Sequence, residues 1–192
     1  MSARVGLLGG TFDPPHNAHL VMAQTAREAL GLDRVLLVPA TRPPHKDDEH
    51  TAYVHRLAMS EVAAETVDAV ELSRMEEAGE GPSYTAALLT RARAEYGHDL
   101  YFIMGADSLR ELPAWREPER VLELCTVVVF PRQGVPMRCD VEGAASLIMF
   151  EAPEIDVSST EVRRRVRANE DFRALVPDGV ADYIQHHGLY TS

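Results

Sequence analysis

The chain has 192 residues, enough for one domain or a domain with a small appendage. An apolar fraction of 45% allows a sizeable core, which with only 6% aromatics must be built from Leu, Val, Ala and Met. A net charge of −11 argues against a general nucleic-acid binder, yet leaves room for a local basic pocket that takes a small anion. Along the chain, short apolar runs alternate with segments of helical period. Strands are expected at Ala3–Leu8, Val35–Val38, Val67–Leu72, Leu100–Met104, Thr126–Phe130 and Ser146–Phe150. Several are apolar throughout, as in sheets covered on both faces. Helices are expected at Asn17–Leu30, Ala52–Glu65, Ser83–Tyr96 and Pro118–Leu124. The alternation predicts an α/β, doubly wound parallel sheet with right-handed crossovers. Two successive helices, Ser159–Ala168 and Val176–His187, close the chain and would cap the sheet or form a small C-terminal helical part of the single domain 1–192. Ala40–Thr51, Arg74–Pro82 and Arg132–Ala144 read as loops.

Cys125 and Cys139 form neither a CxxC metal pattern nor a disulfide framework. Residues 1–5 lack a signal-peptide core, and no apolar run approaches the ~20 residues of a membrane span. A cytoplasmic protein with no membrane partner is expected. A homo-oligomer is left open.

In a doubly wound sheet, ligands sit beyond the carboxyl ends of the strands. The first strand is expected to end at Leu8, where Gly9 and Gly10 permit a tight turn and close ligand approach. The helix that follows offers free N–H groups to a phosphate. The glycines do not match GxGxxG, and no Gly-Lys-Ser/Thr follows. His16 and His19, three apart, share one helix face and can donate to phosphate oxygens. The plain alternative, a pair of capping or core histidines, loses ground beside the strand and the glycine pair. A metalloprotease HExxH is excluded by spacing and by the absent Glu.

Gly10-Thr11-Phe12-Asp13-Pro14-Pro15-His16-Asn17-Ala18-His19 resembles the nucleotidyltransferase superfamily signature, roughly GTFDPxHxGH. Ala18 stands where that pattern has Gly. Ser158-Ser159-Thr160-Glu161-Val162-Arg163 is similar to the second signature, ISSTxIR. Ser158 and Glu161 also read as a capping box. Arg163, Arg164, Arg165 and Arg167 crowd a helix start, where cations oppose the dipole unless a polyphosphate offsets them. Arg164, Arg165 and Arg167 read equally well as solvated surface.

Other segments resemble bacterial nicotinate-nucleotide adenylyltransferases. These are Pro43-Pro44-His45-Lys46, Pro82-Ser83-Tyr84-Thr85, Gly105-Ala106-Asp107, Pro113-Ala114-Trp115-Arg116 and the closing Leu175…Tyr190 stretch. Ala87 and Leu88 replace an Asp and a Thr of the PSYTxDTL pattern. Lys46 is the one Lys among 19 basic residues. Ser83 is also a candidate helix cap, Asp107 a candidate cap or ribose acceptor, and the closing stretch reads as packing.

The resemblance implies a Rossmann-like enzyme that joins ATP to nicotinate mononucleotide and releases pyrophosphate. It implies catalytic roles for His16, His19, Lys46 and Arg163. The ATP site would comprise Gly9, Gly10, Thr11, Phe12, His16, His19, Gly105, Asp107, Ser158, Thr160 and Arg163. The acceptor site would comprise His45, Lys46, Tyr84, Thr85, Asp107, Trp115 and Arg116. Mg2+ would arrive with ATP, with no dedicated protein metal site. Phosphopantetheine or nicotinamide mononucleotide as acceptor, and a non-catalytic nucleotide-binding regulator, are the alternatives. Pyrophosphate release would separate all of these.

Overall fold

The computed structural model describes residues 3–44, 50–132, 134–139, 141, 147–150 and 157–191. Its strands are β1 (Val5–Gly10), β2 (Arg34–Pro39), β3 (Val70–Leu72), β4 (Leu100–Gly105), β5 (Thr126–Phe130) and β6 (Leu147–Met149). They form one sheet in the order β3-β2-β1-β4-β5-β6, and all five pairings are parallel. This is the doubly wound arrangement expected from the alternating runs. Its strand order reverses between β1 and β4, which places the ligand crevice at their carboxyl ends.

The helices are α1 (Asn17–Leu30), α2 (Tyr53–Ala64), α3 (Thr85–Tyr96), α4 (Ala106–Glu111), α5 (Pro118–Leu124), α6 (Ser159–Arg167) and α7 (Asp178–His187). One sheet face packs Leu8, Val35, Leu37 and Ile103 against Leu20, Ala23, Met59 and Ala63 of α1 and α2. Val162, Val180 and Ile184 of α6 and α7 belong to the same apolar cluster. The C-terminal helices therefore extend a core that already exists. The opposite face packs Leu7, Leu36 and Phe102 against Leu89, Leu109, Leu122 and their neighbours from α3, α4 and α5.

The structure differs from the sequence reading at several element ends, β1 and β3 among them. β1 begins at Val5 and runs on through Gly9 and Gly10, which pair with Val38 and Pro39 of β2. β3 begins only at Val70, because Ala69 takes a left-handed φ of 57° and Val70 N–H bonds back to the Val67 carbonyl. Within the expected Arg74–Pro82 loop, Met75–Ala78 forms a 3-10 turn. Helix α4 has six residues and was too short to show a period of its own.

Candidate active site

The site begins at the end of β1. Gly9 and Gly10 are strand residues, so they serve space and not the expected turn. A methyl on Gly9 would meet the Phe102 ring at 3.2 Å, and one on Gly10 would meet the Phe12 ring at 3.3 Å. The chain turns instead at Phe12, whose φ is 50°. Left-handed backbone costs a bulky residue about 1 kcal/mol or more. The side chain offsets it by burial, at 2% exposure, and by edge contact with His19 at 4.9 Å between centroids.

His16 precedes α1 in extended backbone, and its ring stacks on His19 at 3.7 Å with 22° between planes. The His16 backbone N–H donates to His19 Nδ1 at 3.2 Å. An accepting Nδ1 fixes the proton of a neutral imidazole on Nε2, which is then a donor. Burial pushes His16 down to about 4, with the Arg132 guanidinium adding to the effect. Burial, then His16, holds His19 well below the ordinary imidazole range. At neutral pH the stack is uncharged, so it presents N–H donors and no fixed cations.

Helix α6 closes over this turn. Ser158 Oγ accepts the Glu161 N–H at 3.2 Å, which is half of the expected capping box. The other half does not form, because the Glu161 carboxylate takes Arg164 at 2.8 Å and Arg165 at 2.7 Å. Arg164 also pairs with Glu170 at 2.6 Å. Arg164, Arg165 and Arg167 stand in the last turn of this nine-residue helix, where cations favour the dipole. The reading that they oppose it is corrected. Arg163 turns the other way and donates to the Asp13 carbonyl at 2.6 Å, while Ser159 Oγ donates to the Pro14 carbonyl at 2.8 Å.

Three anchors of this turn were not singled out in the sequence. The Asp13 carboxylate, 5% exposed, accepts from Tyr190 Oη at 2.7 Å and Thr51 N at 3.2 Å, with His50 Nδ1 at 3.6 Å. Burial alone would raise its pKa. The hydrogen bonds from Tyr190 and Thr51 outweigh burial and hold it below the ordinary value. Tyr190, read from the sequence as packing, is thus a polar clasp. Arg56, 2% exposed, donates to the carbonyls of Thr11 at 2.7 Å, Ala40 at 2.8 Å and Thr51 at 2.9 Å. The available signal was its place on one helical stripe with the buried Met59, Ser60 and Ala63.

The far end of the site is built by α3, α4 and the turn after them. Tyr84 precedes α3 and Thr85 is its first residue. Ser83 does not cap this helix. Its hydroxyl bonds Thr41 Oγ1 at 3.2 Å and accepts the Arg42 N–H at 3.1 Å, tying the loop after β2 to Tyr84. The Arg116 guanidinium lies over the Tyr84 ring at 4.9 Å. Trp115 meets the edge of Phe102 at 6.3 Å. Asp107, in the first turn of α4, is ion-paired with Arg132, a cleft residue the sequence reading passed over as loop.

These groups surround one cleft of about 820 Å³ at the carboxyl ends of β1 and β4. Gly9, Gly10, Thr11, Phe12, His16, His19, Tyr84, Thr85, Gly105, Asp107, Trp115, Arg116, Ser158, Thr160 and Arg163 all line it. Pro43 and Pro44 reach its rim, whereas His45 and Lys46 lie outside the described residues. Among the described residues, no group of three or more His, Cys, Asp or Glu side chains is arranged to hold a metal, and no helix is long and apolar enough to cross a membrane.

A cleft at the switch point, walled by stacked histidines and an Arg-bearing helix start, belongs to a known class. Residues 7–165 match the cytidylyltransferase-like family, and the chain belongs to that family of nucleotidyltransferases. A probable nicotinate-nucleotide adenylyltransferase of Roseiflexus sp. is 43% identical over 98% of this chain and 98% of its own. The nicotinate-nucleotide adenylyltransferase of Bacillus subtilis is 37% identical over 98% of this chain and 99% of its own. Within the larger family, the chain falls among the nicotinate-nucleotide adenylyltransferases. The Plasmodium falciparum nicotinic acid mononucleotide adenylyltransferase complexed with NaAD shares the fold, with a TM-score of 0.81. It is 19% identical, covering 98% of this chain and 97% of that one.

Proposed function

We infer that this cleft transfers the adenylyl group of ATP to nicotinate mononucleotide, giving nicotinate adenine dinucleotide and pyrophosphate. One observation carries the reading. The histidine stack and Arg163 share a single cleft with the aromatic and cationic group Tyr84, Trp115 and Arg116. The first set suits a polyphosphate and the second a flat pyridine ring that bears a carboxylate.

A phosphate oxygen of the mononucleotide attacks the α-phosphorus of ATP, and the bond from that phosphorus to the bridging oxygen of pyrophosphate breaks. The acceptor phosphate is already a nucleophile, so no covalent enzyme intermediate is required. The protein supplies alignment and donors to oxygens that gain charge. Neutral His19 offers its Nε2–H, His16 stacks beside it, and Arg163 offers its fork from α6. Gly9, Gly10, Thr11, Ser158 and Thr160 line the same cleft and would face ATP. Gly105, at the end of β4, and Asp107, in the first turn of α4, would meet the ribose. The acceptor loop would add His45 and Lys46. Magnesium would enter as the counter-ion of ATP, held by phosphate oxygens and water. On this reading the chain works in the cytoplasm.

Arg116 would give nicotinate its advantage over nicotinamide, because the acid alone adds a carboxylate for the guanidinium to meet. The test is pyrophosphate release from ATP with nicotinate mononucleotide, nicotinamide mononucleotide or phosphopantetheine. Release is expected with the first at the highest kcat/KM. Release with none would leave a nucleotide-binding module. His16→Ala should lower kcat at least 100-fold with the fold intact, in line with the loss of one oxyanion donor. Unchanged turnover would remove His16 from the mechanism.

A further inference from the structure

Arg56 enters the interior from α2, and among the described residues no carboxylate stands in ion-pair contact with it. A buried charge without a partner carboxylate is costly, and an apolar side chain of similar length would fill the same space more cheaply. What only a planar guanidinium can do here is reach three carbonyls at once. Those carbonyls come from three separate places. Thr11 lies in the turn on the phosphate side, Ala40 directly follows β2, and Thr51 precedes α2. Thr51 then passes its own N–H to Asp13, and the Asp13 carbonyl holds Arg163. One unbroken chain of hydrogen bonds therefore joins α2 to the phosphate turn and to α6.

We propose that Arg56 is a positioning residue that sets the Thr11–Asp13 turn against Ala40 and Thr51, and so aligns the ATP side of the cleft with the acceptor side. The proposal rests on the adenylyl-transfer reading. Arg56 is not among the residues that line the cleft and acts through Thr11, Ala40 and Thr51. Misplacement of reacting groups by an ångström can cost about 100-fold in rate, so alignment is where its loss is felt.

The test uses the full chain with Arg56→Lys and Arg56→Met, each assayed well below its own unfolding midpoint. Arg56→Lys keeps the charge but cannot span three carbonyls. Arg56→Met keeps the packing volume and removes the donors. Both should lower kcat by about 10- to 100-fold and raise KM for ATP and for nicotinate mononucleotide together. Arg56→Ala, which leaves a cavity, should regain part of its kcat in millimolar methylguanidine. Variants with kcat and both KM values within about twofold of wild type, whatever their midpoints, would overturn the proposal. So would a rise in KM for ATP alone with kcat unchanged, since that marks one-sided binding and no alignment. Absence of wild-type pyrophosphate release would instead refute the reading beneath it.

Discussion

Tyr190 donates its hydroxyl to Asp13 Oδ1 at 2.7 Å, joining residues 177 positions apart. The contact closes the end of α7 onto the turn that follows β1. Burial first, then the Asp13 charge, raises the Tyr190 phenol, so it stays a donor throughout the working pH range. Tyr190→Phe leaves a buried carboxylate one bond short and should cost about 1–3 kcal/mol. The folded Asp13 titrates below its ordinary value of 3.8. Its contribution is therefore full above that value and is lost as pH falls through the folded pKa. Urea unfolding should show the gap between wild type and variant at pH 6 and a smaller gap near pH 3. A constant gap across this range would mean the hydroxyl acts by packing alone.

The histidine stack is shifted downward as Asp13 is, here because burial disfavours the charged imidazole, and its pH dependence has the same sign. An unfolded imidazole titrates near 6.5, whereas the folded His16 titrates at about 4. Between these values the unfolded chain binds more protons, so stability is full above 6.5 and falls as pH drops toward 4. His16 alone accounts for up to about 3 kcal/mol over that window, and His19 adds in the same sense. Unfolding midpoints should fall between pH 7.5 and 5, with a shallower fall in His16→Asn. A polyphosphate beside the rings favours their protonated forms. ATP binding near pH 6 should thus take up protons, visible as a calorimetric enthalpy that varies with the buffer.

Arg163 and Arg164 are neighbours with different work. Arg163 reaches the Asp13 carbonyl inside the cleft, whereas Arg164 sits among Glu161 and Glu170 on the surface. Arg163→Ala should lower kcat by about 100-fold. Arg164→Ala should leave kcat/KM within about twofold, because exposed ion pairs contribute little. Equal losses in the two variants would place the second signature's chemistry on the whole arginine run.

Trp115 is the one tryptophan, so its fluorescence reports on the end of the cleft proposed for the acceptor. Nicotinate mononucleotide should quench it by stacking, and ATP alone should not. Gly9→Ala would press on the Phe102 ring, which Trp115 touches. That crowding should cost about 1–3 kcal/mol and raise KM for the mononucleotide more than for ATP. A selective rise in the ATP KM would return Gly9 to the ligand-approach role first read from the sequence.

The apolar runs determined the strands, and their alternation with helical segments determined a parallel sheet, because a parallel strand needs a crossover and both faces then lie buried. The two signatures and the loop motifs named residues that line one cleft, since each motif is a short contiguous run, whereas His45 and Lys46 lie outside the described residues. Boundaries were less legible. Whether Gly9 and Gly10 turn or pair depends on β2 beside them. Whether Arg164 binds phosphate or carboxylate depends on Glu161 and Glu170. The tertiary structure alone decided the supports: Arg56 beneath the carbonyls of Thr11, Ala40 and Thr51, Arg132 on Asp107, and Tyr190 on Asp13. Each joins residues brought close only by folding, and a hydrogen bond between positions 177 apart leaves no periodic trace in the sequence.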